Sequence, residues 1–132
     1  MRELIRYRRS LIEEHAREIN RMQKVLEGAN IKLASVTTDI LGKSLRAMIE
    51  AIINGEENPV VLSELAQKRL KNRKEELKKA LNGLIGPHQR LMLKTQLTHI
   101  DFLDEQIALL DEEIKRRMLP NLSKIFVGKV WE

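Results

Sequence analysis

The sequence has no cysteine, so disulfide bonds and thiolate metal sites are excluded. Aromatic residues make up only 3% of the chain, which argues against a β-sandwich and against base stacking as a main mode of nucleic-acid binding. No apolar run approaches the roughly 20 residues that a membrane span needs. The first residues carry charges where a signal peptide would be apolar. These absences predict a soluble, cytoplasmic protein.

Helix-forming and charged residues are abundant. Of the 132 residues, 42% are hydrophobic and 33% are charged, and Leu, Ile, Ala, Glu, Lys and Arg dominate. This composition is typical of long amphipathic helices. The sequence therefore predicts an all-α chain, long enough for one modest domain.

The chain has a net charge of +5, and its excess of bases lies in residues 68–79, called the basic segment below. This segment holds seven bases and two acids, a difference that equals the net charge of the whole chain. Clustered cations bind the phosphates of RNA or DNA by releasing condensed counterions, but an ordinary solvated helix face has the same pattern. The residues alone leave both interpretations open. The bases are Lys68, Arg69, Lys71, Arg73, Lys74, Lys78 and Lys79.

Apolar side chains recur every seven positions in the first part of the chain, as they do in a coiled coil. The pattern predicts a first helix from about Arg2 to Glu27, with Gly28 and Asn30 as C-terminal stops. The repeating residues belong either to an intramolecular core or to an interface between chains, because both use the same pattern. They are Ile5, Ile12, Ile19 and Leu26.

Turn and capping residues divide the middle of the chain. Residues 35–39 offer N-caps for a second helix, which Asn54–Gly55 ends. Asn58–Pro59 begins the next helix, and its apolar stripe continues into the basic segment. Asn82–Gly83 marks another stop, so three short helices are predicted between two long ones. The N-cap candidates are Ser35, Thr37, Thr38 and Asp39.

The last long helix is predicted to open at Gly86–Pro87 and to run to about Met118, because Pro120 forbids continuation. Its apolar residues recur at spacings of three and four, which places them on one edge. Acid-to-base pairs at i,i+4 are expected to support its C-terminal end. These pairs are Asp111–Lys115, Glu112–Arg116 and Glu113–Arg117.

This order of elements predicts a long antiparallel helical hairpin, coiled-coil-like, with short helices at its tip. Two helices cannot bury wide apolar faces by themselves, so we expect a second copy to complete a dimeric helical bundle. The predicted core or dimer seam consists of Ile5, Ile12, Ile19, Leu26, Leu97, Ile100, Leu103, Ile107 and Ile114.

Several stretches of the sequence resemble a known family, among them Arg17–Arg21, Lys24–Glu27 and Gly83–His88. Arg2–Arg9, Gly28–Val36 and, most specifically, His99–Ile107 are similar to the segment that follows the RuvC-like domain in insertion-sequence one-ten family transposases. The resemblance covers about residues 2–118. It implies the helical region through which a DEDD-type transposase dimerises, between a domain with four metal-binding acids and one with a nucleophilic serine. In RNA-guided members, a structured bridge RNA selects the donor and target DNA.

The resemblance sets expectations for the domains and the function. Residues 1–119 are expected to form the dimerisation region, and residues 120–132, which depart from the family's pattern, a divergent tail. We expect a truncated or fragmentary transposase that scaffolds DNA and structured RNA, without a membrane or a small-molecule substrate. The alternative is a free-standing helical regulator that binds nucleic acid or inhibits intact transposase by mixed dimerisation.

No catalytic or metal-binding residue is predicted. The acids between Asp101 and Glu113 share one predicted helix, which is typical of a solvated, salt-bridged face rather than of a converging metal site. His99 and Asp101 diverge by about 200° around a helix, and His15 and His88 have no ligand-spaced partner. A complete small enzyme, the third possibility, has no supporting constellation. We expect no cofactor and no enzymatic activity.

Overall fold

The computed structural model describes residues 1–33, 36 and 42–126, and every regular element within them is helical. The prediction of an all-α chain is confirmed. Three short α-helices lie between two long ones, as predicted, and a 3₁₀ helix, Lys68–Arg73, directly precedes the last short one. The α-helices are α1 (Arg2–Gly28), α2 (Lys43–Ile53), α3 (Pro59–Ser63), α4 (Lys74–Ala80) and α5 (Pro87–Phe126).

The C-terminal stop predicted for α1 is confirmed at Asn30, whose backbone has a φ of 64°. The Asn30 N–H donates to the carbonyl of Glu27 over 2.9 Å, and the Ile31 N–H donates to that of Leu26 over 2.8 Å. These two bonds define a Schellman motif, which satisfies carbonyls at the helix end. Leu26 and Ile31, the apolar positions that accompany this motif, are both buried.

The turn residues around α2 and α3 also act as predicted. Gly55, with a φ of 106°, follows the end of α2. Asn58 caps α3, since its side-chain oxygen accepts a hydrogen bond of 3.0 Å from the Val60 N–H, and Pro59 is the first helical residue. Gly42 precedes α2 and makes no side-chain cap. The predicted N-cap candidates Ser35, Thr37, Thr38 and Asp39 lie outside the described residues.

The predicted start of α5 is confirmed, but its predicted end is wrong. The Gly86 N–H donates to Gln89 Oε1 over 2.6 Å, which is one half of a capping box. At the other end, α5 continues through Pro120 to Phe126. A proline removes one backbone donor and crowds one carbonyl, so it weakens a helix without forbidding it. The boundary expected between residues 119 and 120 therefore lies within a helix.

The chain divides into two compact units, to both of which α1 and α5 contribute. The first unit comprises Met1–Arg17 and the chain from Ile100 onward. Two polar contacts join α1 and α5 within this unit. Arg8 pairs with Asp111, and His15 Nε2 lies 2.9 Å from Asp104 Oδ1, outside hydrogen-bonding geometry. Among its described residues, the buried apolar side chains are Leu11, Ile100 and Leu103.

The ion pairs on α5 agree with the prediction in part. Glu113 Oε1 lies 2.8 Å from Arg117, as predicted. Arg116 pairs with Glu113 over 2.6 Å rather than with Glu112, and Asp111 pairs with Arg8 of α1. Positions three and four apart lie equally near on a helix, and a second helix offers further partners, so spacing alone did not determine these pairs.

The second unit, Glu18–His99, holds most of the core. All the largest fully buried side chains of the described residues belong to it, except Ile100. Four residues of α2 are among its buried apolar side chains, because they recur at helical spacing and form one face. They are Leu45, Met48, Ile49 and Ile52, and other elements add Met22, Leu26, Leu33, Leu62, Leu77, Leu81 and Leu93.

Candidate nucleic-acid interface

The basic segment occupies the 3₁₀ helix and α4. The apolar stripe predicted to enter this segment is interrupted, because α3 ends at Ser63 and the backbone of Gln67 is extended. The Gln67 N–H donates to Ser44 Oγ of α2 over 2.8 Å. In a continuous helix, this N–H would instead donate to the backbone carbonyl four positions earlier. The hydrogen bond to Ser44 therefore marks a break between α3 and the basic segment.

Arg73 is already engaged with other parts of the chain. Its Nε donates to Glu76 Oε2 over 3.1 Å, and its Nη1 donates to the carbonyl oxygen of Val36. The hydrogen bond from Arg73 holds the pKa of Glu76 below its usual value. Arg73 thus connects α4 to the loop after α1. Its guanidinium holds these two parts of the chain together in addition to carrying a positive charge.

Lys74 and Lys78 also have acidic partners. Lys74 Nζ lies 3.0 Å from Glu64 Oε2, and Lys78 Nζ lies 3.0 Å from Glu75 Oε1. The hydrogen bond from Lys74, followed by its charge, lowers the pKa of Glu64. Because these pairs are exposed to solvent, they contribute little to stability. They do reduce the positive charge that the basic segment presents to a ligand.

Lys71 and Lys79 are different. Both side chains are exposed, and neither forms an ion pair within the part of the chain that the structure describes. The side chains of Lys68 and Arg69 lie outside the described part. Lys71 and Lys79 are therefore the described bases of this segment without an ion pair, and the charge of Lys79 helps to lower the pKa of Glu76.

A surface pocket of about 390 Å³ opens beside Lys79. One wall belongs to the loop after α1 and the other to α4. The described residues of its lining combine two cations, a carboxylate and an amide, and none of them is aromatic. It is lined by Asn30, Lys32, Val36, Glu76, Lys79 and Ala80.

The backbone holds the two walls of this pocket together. The Lys32 N–H donates to the carbonyl of Ala80 over 3.0 Å, and the Leu84 N–H donates to that of Ala29 over 3.1 Å. Gly83 permits this close approach, because a Cβ at this position would lie 2.2 Å from the carbonyl oxygen of Ala29. The stop predicted at Asn82–Gly83 thus has a packing role that the sequence did not reveal.

The predicted seam residues are not equally buried. Ile5 and Ile12 are 43% and 39% exposed, whereas Leu11 and Met22 of the same helix are buried. The assignment of the seam residues to a core or to an interface between chains stays a prediction. The remaining seam residues are buried (Leu26, Leu97, Ile100, Leu103) or half-buried (Ile19, Ile107, Ile114).

Three polar residues near the basic segment were missed by sequence reasoning. Asn30 and Lys32 lie more than forty positions before Lys79, and Glu64 lies ten positions before Lys74. Helical spacing identifies neighbours only three or four positions apart. The proximity of these residues to the basic segment could therefore not be predicted from the sequence pattern.

Among the described residues, no three His, Asp or Glu side chains are grouped so that they could hold a metal ion. None of the described helices combines the length and the hydropathy that crossing a membrane requires. Comparison of the chain with protein-family models, curated proteins and solved structures finds no match. The transposase family therefore stays a prediction from the residues quoted above.

Proposed function

We propose that this chain is a dimerising, nucleic-acid-scaffolding helical region of the kind found in insertion-sequence one-ten family transposases. The resemblance of residues 2–118 supports the family. In that family, catalysis belongs to the RuvC-like and serine-bearing domains, so the role proposed for this region is assembly and binding, not chemistry.

The proposed architecture is an antiparallel hairpin that pairs with a second copy. Its support within the first unit is the order of two contacts between α1 and α5. Arg8 pairs with Asp111, and His15 lies beside Asp104. His15 follows Arg8 by seven positions in α1, whereas Asp104 precedes Asp111 by seven positions in α5. Opposite chain directions produce this reversed order.

The observation that carries self-association is the exposure of Ile5 and Ile12. They lie one heptad apart and therefore on one face of α1, where each keeps about two fifths of its surface in contact with water. Covering such a side chain gains on the order of 1 kcal/mol. A second copy of the same helix offers a matching apolar row, as in other symmetric dimers.

Light scattering across a concentration series tests this interface. We expect the parent chain to exceed its monomer mass of 15.3 kDa and Ile12→Asp to return it towards that mass with its helicity retained. Leu109→Asp is the matched control, because Leu109 is 60% exposed on α5 and lies outside the predicted seam. Leu103→Asp should instead unfold the chain, since Leu103 is buried.

Two results would contradict this interface. A parent chain that keeps its monomer mass at every concentration excludes the dimer. Dissociation by Leu109→Asp but not by Ile12→Asp would move the interface away from the heptad face of α1.

Nucleic-acid binding is supported by the net charge of +5 and by the exposed Lys71 and Lys79. Each phosphate that such side chains neutralise contributes about −0.7 to −0.9 to the logarithmic salt slope of binding. The ion pairs of Arg73, Lys74 and Lys78 imply that fewer phosphates are neutralised than the seven bases suggest. Binding is accordingly expected to be electrostatic, with a modest slope.

A further inference from the structure

Three arginines lie in a row on the exposed surface of α1. Arg2, Arg6 and Arg9, called the arginine row below, follow one another at spacings of four and three, which places them on one face of the helix. All three residues are exposed. We propose that the arginine row binds the phosphate backbone of a nucleic acid and that this binding strengthens self-association. The inference rests on the proposed function, which supplies the nucleic acid and the second copy.

Other arginines of α1 are neutralised by acids of the same chain. Arg8 pairs with Asp111. Arg21 Nη1 lies 2.9 Å from Glu18 Oε2. In contrast, no guanidinium of the arginine row forms a hydrogen bond or an ion pair with the part of the chain that the structure describes. The charges of the row are therefore available to a ligand.

The segment around the arginine row is positively charged. Residues 2–12 contain four arginines and one acid, Glu3, which is a difference of +3. Glu3 lies three positions before Arg6, within reach on a helix. Glu13, the next acid along α1, lies four positions after Arg9. Neither carboxylate forms an ion pair with the row among the described residues, so this surface favours an anion.

The spacing and the chemistry of the row suit a chain of phosphates. At a rise of about 1.5 Å per residue, the helix from Arg2 to Arg9 extends over about 10 Å. One strand of a duplex presents a phosphate about every 3.4 Å along its axis, so several phosphates lie within this length. A guanidinium binds phosphate oxygens through two parallel hydrogen bonds, whereas a lysine acts as a point charge. A nucleic-acid backbone therefore fits the row better than a single phosphate does.

The row borders the face of α1 that is proposed to contact a second copy. Arg9 lies between the exposed Ile5 and Ile12 at spacings of four and three. Arg2 extends the same stripe, three positions before Ile5. In a symmetric dimer, the row of the second copy borders the same interface, so the two rows repel each other. A bound polyanion offsets this repulsion, which couples nucleic-acid binding to self-association in both directions.

Fluorescence anisotropy with a labelled RNA hairpin tests the binding surface. The double variant Arg6→Gln/Arg9→Gln should bind about tenfold more weakly at low salt, and its logarithmic salt slope should be smaller by about 1.4–1.8. The control Lys94→Gln/Lys115→Gln also removes two exposed charges, neither of which forms an ion pair among the described residues. It should weaken binding less than about threefold, because charges far from the ligand are screened. Equal losses would overturn the arginine row as the site.

Self-association provides a readout that loss of folding does not imitate. Without nucleic acid at low salt, Arg6→Gln/Arg9→Gln should associate about threefold more tightly than the parent, because it removes charges that repel each other. Added sodium chloride should tighten the association of the parent more than that of the variant, since salt screens the same repulsion. Light scattering measures both effects, and circular dichroism establishes that the variant keeps the parent's helicity. A variant that associates no more tightly than the parent would overturn the coupling.

Two competitors test whether the phosphate backbone is the ligand. A DNA hairpin of the same sequence should displace the RNA hairpin with an affinity within about threefold, because backbone contacts carry no sequence information. A larger difference would indicate recognition of the 2′-hydroxyl and would overturn the assignment to phosphate. Polyglutamate should displace the hairpin only weakly. Displacement as strong as that by DNA at equal charge would assign the row to acidic chains instead.

The outcomes separate this proposal from the function on which it rests. If the parent binds no RNA at low salt, both proposals fail. If it binds RNA and Lys71→Gln/Lys79→Gln weakens binding but Arg6→Gln/Arg9→Gln does not, only the arginine row fails as the site. If the parent stays monomeric with and without RNA, the coupling fails together with the proposed dimer.

Discussion

Replacement of Gly83 by alanine should destabilise the second unit through one backbone contact. The added Cβ would lie 2.2 Å from the carbonyl oxygen of Ala29 and 2.7 Å from Cγ1 of Ile31. The side chain of Ile31 can move, but the carbonyl is held by the Schellman turn and by the hydrogen bond from the Leu84 N–H. The segment around residue 83 must therefore move away from the loop after α1.

The magnitude follows from three effects. Overpacking of this kind costs about 1–3 kcal/mol, and loss of the hydrogen bond between Leu84 and Ala29 costs about 0.5–1.5 kcal/mol. Alanine also reduces the conformational entropy of the unfolded chain, which raises the free energy of unfolding by about 0.4–1 kcal/mol. The net loss in the free energy of unfolding is therefore about 2 kcal/mol. With a urea m value near 2 kcal/mol/M, the unfolding midpoint falls by about 1 M.

Urea unfolding followed by circular dichroism measures this shift, and Gly28→Ala is the matched control. Gly28 is the last residue of α1, and a Cβ there meets nothing within 4 Å. The control should leave the midpoint unchanged or raise it, because alanine favours a helix over glycine by up to about 1 kcal/mol. A midpoint for Gly83→Ala equal to that of Gly28→Ala would refute the steric reasoning.

Two further predictions concern stability. Because hydrogen bonds from Lys74 and Arg73 lower the folded pKa of Glu64 and Glu76 from 4.5, their stabilisation is present above about pH 4.5 and is lost as the pH falls through the folded values. Urea midpoints measured down to about pH 3 should decline less for Lys74→Gln than for the parent, and an identical decline would contradict this. Asn58→Ala should lower the free energy of unfolding by about 1 kcal/mol, because it removes the acceptor for the Val60 N–H. Asn58→Asp is the control, since it keeps an acceptor at this position. Equal urea midpoints for the two variants would exclude the cap.

The ends of several helices were predictable from the sequence, because their causes are local. Asn30 adopts the left-handed backbone that ends α1, and Gly55 does the same after α2. Asn58 caps α3, and Gly86–Pro87 precedes and opens α5. In each case, a residue type with a known conformational preference acts within four positions of itself.

The errors arose where distant or competing contacts decide the outcome. The Gln67 N–H bonds to Ser44, twenty-three positions away, and this breaks the stripe that was expected to enter the basic segment. Asp111 pairs with Arg8 instead of Lys115, because a residue of another helix is closer than the spacing along α5 suggests. Pro120 failed as a stop, since a proline preference is a cost that the rest of a helix can outweigh.

The sequence by itself determined that the chain is helical, where most of its helices begin or end, and where its positive charge is concentrated. Composition, heptad spacing and capping residues act over short distances along the chain, so they can be read without coordinates. Only the tertiary structure decided which cations remain available. It paired Lys74 with Glu64 and left Lys71 and Lys79 without ion pairs among the described residues. Long-range packing brings together side chains that are far apart in the sequence. A local sequence pattern does not indicate which distant residues will be in contact.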